Sequence, residues 1–222
     1  GVNVTARPKH IVAVASGKGG VGKSTVTMNV AHALTVRGLR VGLLDADIYG
    51  PSQPQMLGLP EGTRPEQHDG KYLIPVMARG VATMSMGLLA NDRTPMVWRG
   101  PMASGALVQM LEQTLWGDLD ILLVDMPPGT GDIQLTLSQK AALSGAIIVT
   151  TPQDIALLDA RKGVEMFRKV NVPILGLVEN MAVHVCSQCG HHEPAFRAGG
   201  EARMAQEYTV DVLASLPLSM AM

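Results

Sequence analysis

The run Gly17-Lys18-Gly19-Gly20-Val21-Gly22-Lys23-Ser24-Thr25 holds the residue types and spacing most specific for chemistry in this chain. It follows an apolar stretch, His10 to Ala15, and opens a helix-like pattern that reaches about Val36. A strand, a glycine-rich turn and a Gly-Lys-Ser entering a helix form the G-x-x-x-x-G-K-[ST] arrangement, which wraps backbone N–H groups around phosphate oxygens. Glycines permit the turn, and the helix N-terminus adds partial positive charge. All nine residues, Gly17 to Thr25, are therefore candidate contacts to a nucleoside triphosphate. Lys23 is expected to reach the β- and γ-phosphates, and the Ser24 hydroxyl to sit on Mg²⁺. Lys18 is a second lysine in a loop whose phosphates Lys23 already serves. It is suited to reach a nucleotide held by a second subunit, as a cation supplied in trans.

Acids and an amide at the ends of other apolar runs complete such a site. Asp125 closes Ile121-Leu122-Leu123-Val124, the position from which a carboxylate holds the Mg²⁺ shell. The rigid Pro127-Pro128-Gly129-Thr130-Gly131 turn that follows suits a switch sensing the γ-phosphate, with Asp132 as part of it or as a helix cap. Asp45 and Asp47 flank Ala46 after another apolar run. Alternate residues of an extended segment share a face, so both carboxylates are expected to look towards the phosphates. One would support Mg²⁺ through water and the other orient the attacking water. Asn180 follows Ile174 to Glu179, and its amide offers the donor and acceptor that match the N6/N7 edge of adenine.

Cys186 and Cys189 are the only cysteines and lie three residues apart, before Gly190-His191-His192. Three arrangements use them. With a histidine they make a zinc knuckle in one chain; alone they make a redox pair, although that motif belongs at a helix start in another fold. Two chains meeting on a two-fold axis make a four-thiolate site for zinc or for an iron–sulfur cluster.

The elements that must position these groups read as strand, helix, strand, repeated. Arg40–Leu44, Val81–Met86, Ile121–Val124, Ala146–Thr150 and Ile174–Val178 are apolar runs of strand length. Helical spacing covers Pro101–Leu115, about Ile133–Leu143 and Ile155 to about Lys169, and a short helix is expected near Gln55–Leu57 within a Pro-, Gly- and Gln-rich stretch. Such alternation predicts an α/β fold with a doubly wound, mostly parallel sheet flanked by helices. Ligands of these sheets bind at the carboxyl ends of strands, where every candidate above lies.

The 222 residues allow one large domain, expected to span 1–222 with a cysteine hairpin at about 181–195. Apolar content of 46% against 17% charged residues fits a well-cored globule. A net charge of −1 without a basic block gives no reason to expect nucleic-acid binding. No apolar run approaches the ~18 residues of a membrane span. No signal-peptide pattern opens the chain, and with two cysteines only, a reducing, cytoplasmic setting is expected.

The K-G-G-V-G-K-S-T string (Lys18–Thr25) resembles the deviant Walker A motif of MinD/ParA-class ATPases, which dimerise around two ATPs. That resemblance implies the trans role for Lys18, the attacking water for Asp47, the magnesium shell for Asp45, and adenine for Asn180. With L-L-D-A-D-I-Y-G-P-S (Leu43–Ser52), W-R-G-P-M (Trp98–Met102), D-M-P-P-G-T-G-D (Asp125–Asp132) and E-N-M…C-x-x-C-G (Glu179–Gly190), nearly the whole chain is similar to the Mrp/ApbC family, the NUBP-type iron–sulfur cluster carriers. The resemblance implies a homodimer binding ATP and Mg²⁺ and hydrolysing ATP slowly. A [4Fe–4S] cluster would bridge the subunits on Cys186 and Cys189, come from an upstream scaffold and pass to apo iron–sulfur proteins. Members usually run on past Leu216-Pro217-Leu218 with residues that approach the base. Two other readings stand beside this one. A MinD/ParA-like positioning ATPase would leave the cysteines idle and want a membrane helix or basic face. A nucleotide switch would hold structural zinc.

Overall fold

The computed structural model describes residues 3–48, 50, 53–89, 101–185, 192–194, 206 and 211–218. Cys186 and Cys189 lie outside the described residues, as do Tyr49, Pro51, Ser52 and Trp98 to Gly100 of the motifs above.

The strands are β1 (His10–Ala15), β2 (Val41–Asp45), β3 (Gln67–His68), β4 (Tyr72–Leu73), β5 (Val76–Ala78), β6 (Val81–Ser85), β7 (Ile121–Asp125), β8 (Gly145–Thr150), β9 (Ile174–Val185), β10 (His192–Pro194) and β11 (Val212–Leu218). The helices are α1 (Lys23–Val36), α2 (Gln53–Met56), α3 (Met86–Leu89), α4 (Pro101–Gln113), α5 (Asp132–Lys140) and α6 (Asp154–Lys169). The main sheet runs β10-β9-β8-β1-β7-β2-β6-β5, with β11 also paired to β9. Pairing from β9 across to β6 is parallel, as is β11 on β9, while β5 on β6 and β10 on β9 are antiparallel.

Side-chain alternation makes the sheet two-faced. Val12, Leu43 and Leu123 point to the face covered by α1, where Ala31 packs, and Val14, Val149 and Val178 continue that face against Val26. Ala13, Leu44, Leu122, Val124 and Ile148 point the other way, onto Leu107 of α4, Leu137 of α5 and Phe167 of α6. Central strands buried on both sides must be apolar throughout, which is why the sequence shows them as uninterrupted runs. The chain order reverses about β1, with β2 and β6 to one side and β8 and β9 to the other. The carboxyl end of β1 is therefore the crevice where such sheets take ligands.

Three elements differ from expectation. The strand holding Asn180 does not end there: β9 runs on to Val185, because its outer part pairs with β10 at Val183–Val185 and with β11 as far as His184. Met86 leaves β6 and starts α3. The small strands β3, β4 and β5 lie in or near the Pro-, Gly- and Gln-rich stretch, where no strand is expected, and their pairing partners, not apolar runs, define them.

Candidate functional site

Beyond β1 the chain turns through two glycines in left-handed conformation, Gly20 (φ 76°) and Gly22 (φ 79°), and Gly22 caps α1. Its first turn has no acidic residue and no side-chain cap, so the N–H groups and positive end of α1 remain available to an anion. The loop is tied at its base: the Ser16 hydroxyl donates to the Lys18 carbonyl (2.7 Å), and the Gly129 N–H donates to the Ser16 carbonyl (2.9 Å). A cavity of about 230 Å³ is lined by Ser16, by Gly19 through Thr25, and by Asp47, Met56 and Pro128.

Gly17 is not part of that lining; a Cβ there would overlap the backbone of Asp159, so this glycine serves close packing against α6. Lys18 is half-buried and also outside the lining. Lys23 is buried and ion-pairs with Asp125, whose side chain is fully buried.

The two aspartates after β2 part company. β2 ends at Asp45, so the strand alternation that would put Asp45 and Asp47 on one face no longer applies at Asp47. Asp47 is half-buried, lines the cavity and accepts from the Gly50 N–H at 3.2 Å. Asp45 is fully buried and outside the lining. It accepts from the N–H groups of Asp47 (3.2 Å) and Gln53 (3.0 Å) and from the Ser85 hydroxyl (3.2 Å). Burial first, then the neighbouring Asp125 charge, pushes the Asp45 carboxyl up to about 7, against the pull of those N–H groups and of Lys23.

Gln53 escaped the sequence reading. It opens α2 and is fully buried, and its Nε2 donates to the Ser24 carbonyl (2.8 Å) and to Asp125 Oδ2 (3.0 Å). No spacing rule marks a glutamine in a Pro- and Gln-rich stretch; its partners reveal it. Asn180 is half-buried, and its amide nitrogen donates to the Val21 carbonyl at 3.0 Å, close enough that a Cβ on Gly22 would overlap it. The donor half of that amide thus faces the loop backbone. Asp132 is the exposed first residue of α5 and Gly131 its cap, so the capping role expected for Asp132 is not what the helix uses.

Two buried acids, Asp45 and Asp125, share one lysine, and Gln53 links Asp125 to the backbone of Ser24. This hard-oxygen set fits a divalent cation such as Mg²⁺. Asp125, Asp45 and Ser24 would hold it directly or through water, and bound there it would neutralise phosphate charge.

A glycine-rich loop between β1 and α1 at the reversal point of a mostly parallel sheet, with an acid ending the neighbouring strand, defines a P-loop NTPase. The chain belongs to the ParA family described as "NUBPL iron-transfer P-loop NTPase", whose model matches residues 7–222. It is 66% identical over 215 residues to an iron-sulfur cluster carrier protein of Pseudomonas fragi, covering 97% of this chain and 75% of that one. It is 59% identical over 214 residues to the protein of the same name from Escherichia coli K12, covering 96% of this chain and 58% of that one. Among solved structures, a nucleotide-binding protein of Archaeoglobus fulgidus in complex with ADP superposes with a TM-score of 0.82 at 37% identity, over 95% of this chain and 82% of that one.

Proposed function

We propose that this chain binds and slowly hydrolyses ATP with Mg²⁺ and carries a [4Fe–4S] cluster for delivery to apo iron–sulfur proteins. Two copies would pair face to face. Each would contribute Cys186 and Cys189 to the cluster and Lys18 to its partner's nucleotide. Within a copy, the glycine loop and Lys23 bind phosphate, Asp125, Asp45 and Ser24 serve the cation, and Asp47, which lines the cavity, orients the attacking water. An adenine contact by Asn180 is left to its amide oxygen and remaining hydrogen. The cluster arrives from an upstream scaffold, and the setting is cytoplasmic.

The observation that carries this reading is the path of β9. The strand touches the phosphate loop at Asn180 and runs without a break to Val185, the residue before Cys186. One continuous strand, with Met181 in left-handed conformation (φ 58°), so joins the nucleotide end of the sheet to the segment that bears the cysteines, for which a positioning ATPase has no use. Among the described residues no helix is long and apolar enough to cross a membrane.

The test is anaerobic reconstitution of the protein with iron and sulfide, followed by sizing and iron counting for wild type, Cys186→Ala and Cys189→Ala. A coloured dimer with about four irons, lost in either variant, is expected of a four-thiolate cluster. Zinc alone, or iron uptake that ignores the cysteines, would sink the carrier reading in favour of a zinc-stapled switch.

A further inference from the structure

We infer that Gln53 is a positioning residue for the divalent cation at the phosphate site, a reading that rests on the ATP-binding function proposed above. Both hydrogens of its Nε2 are committed to acceptors, the Ser24 carbonyl and Asp125 Oδ2. Turning the amide over would set its oxygen against a carbonyl and a carboxylate, so the orientation follows from the partners. The backbone N–H of Gln53 donates to Asp45 Oδ2, and its carbonyl accepts from the Leu57 N–H. One fully buried residue therefore ties together the residue bearing the loop's hydroxyl and both carboxylates expected to serve Mg²⁺.

Of its polar atoms, Oε1 alone has no hydrogen-bond partner, though it is buried. A buried acceptor left unmatched beside a hard-oxygen cluster is suited to a water of the cation's shell, which presents only hydrogens outward. Meanwhile the Nε2 bonds hold one Asp125 oxygen and the Ser24 backbone in place, while Lys23 takes the other Asp125 oxygen. Groups that orient metal-binding carboxylates in this way set affinity without touching the metal.

The experiment measures equilibrium binding of a fluorescent ADP analogue to the full chain, in excess Mg²⁺ and in EDTA. Wild type is compared with Gln53→Leu and Gln53→Asn; the second keeps a polar amide but is too short to span both acceptors, and serves if the first fails to fold. Mn²⁺ binding followed by electron paramagnetic resonance gives a second readout independent of turnover. The expected result is metal-free nucleotide affinity within about threefold of wild type, with the Mg²⁺ enhancement and Mn²⁺ affinity reduced roughly 10- to 100-fold. An unchanged Mg²⁺ enhancement in a folded variant overturns the inference. So does an equal loss of affinity with and without metal, which would make Gln53 a packing residue of the loop. If wild type binds no nucleotide under either condition, the ATP-binding reading itself fails, and this inference with it.

Discussion

Asp45 and Asp125 are register partners on the adjacent parallel strands β2 and β7, and both side chains are fully buried. Two carboxylates this close and this dry cannot both stay ionised without a compensating charge. Lys23 compensates one of them, by its ion pair with Asp125. Asp45 responds by holding its proton to about pH 7, and the site is primed for a further cation.

That proton predicts how the nucleotide-free protein responds to pH. The folded-state value, about 7, lies above the ordinary 3.8, so between the two the folded chain keeps a proton that the unfolded chain has released. The stabilisation is complete below about pH 4 and is lost as pH rises through about 7. Urea unfolding in EDTA between pH 4.5 and 8 should show stability falling with pH and levelling above 7. Asp45→Asn, which has no proton to lose, should flatten that slope; identical slopes would mean Asp45 is ionised in the fold.

Removing one partner of the buried Lys23–Asp125 pair leaves the other charge stranded. Lys23→Ala is expected to cost about 3 kcal/mol of stability, and nucleotide binding with it. The double variant Lys23→Ala/Asp125→Asn should recover much of the stability but none of the binding. Thermal melts and nucleotide titrations separate the two effects, and recovery of binding would remove Lys23 from the phosphate site.

Asn180 has two candidate jobs, and nucleotide preference tells them apart. Asn180→Ala deletes the hydrogen bond to the Val21 carbonyl, a loss of about 1 kcal/mol in the loop's order. If the amide only holds the loop, affinities for ATP and GTP should fall in parallel, by roughly fivefold on that energy. If its oxygen also reads adenine, ATP should lose more than GTP.

Lys18 is proposed to act across a dimer, which mixing can expose. Lys18→Ala should keep nucleotide binding and lose most hydrolysis, as expected when a trans cation is removed. Lys23→Gln should bind no nucleotide yet still offer its Lys18. Mixed dimers of the two should regain hydrolysis at the one site where binding and the trans lysine coincide. A mixture as inactive as its parts would argue that Lys18 works within its own chain or not at all.

How much of this could be read without a structure depended on how local each signal is. The central strands were legible because burial on both faces demands uninterrupted apolar runs, as in Ile121 to Val124. The phosphate loop was legible because left-handed turns at Gly20 and Gly22 require glycine, and a helix must follow at once. The acid Asp125 was legible because it closes a strand that nothing else polar enters. Those features are properties of consecutive residues, so the sequence by itself determined the α/β class, the loop and the candidate acids.

Only tertiary structure decided what those residues touch. Asn180 meets Val21 across 159 positions, and Gln53 meets Asp125 across 72. The edge strands β5, β10 and β11 are defined by pairing partners as much as by their own composition. Asp45 and Asp47, two residues apart, were equal candidates in sequence, and the end of β2 sent one into the core and the other to the cavity. Side-chain type and spacing set which chemistry a segment can perform, whereas burial, charge and hydrogen-bond partners arrive from distant segments and decide which residue performs it.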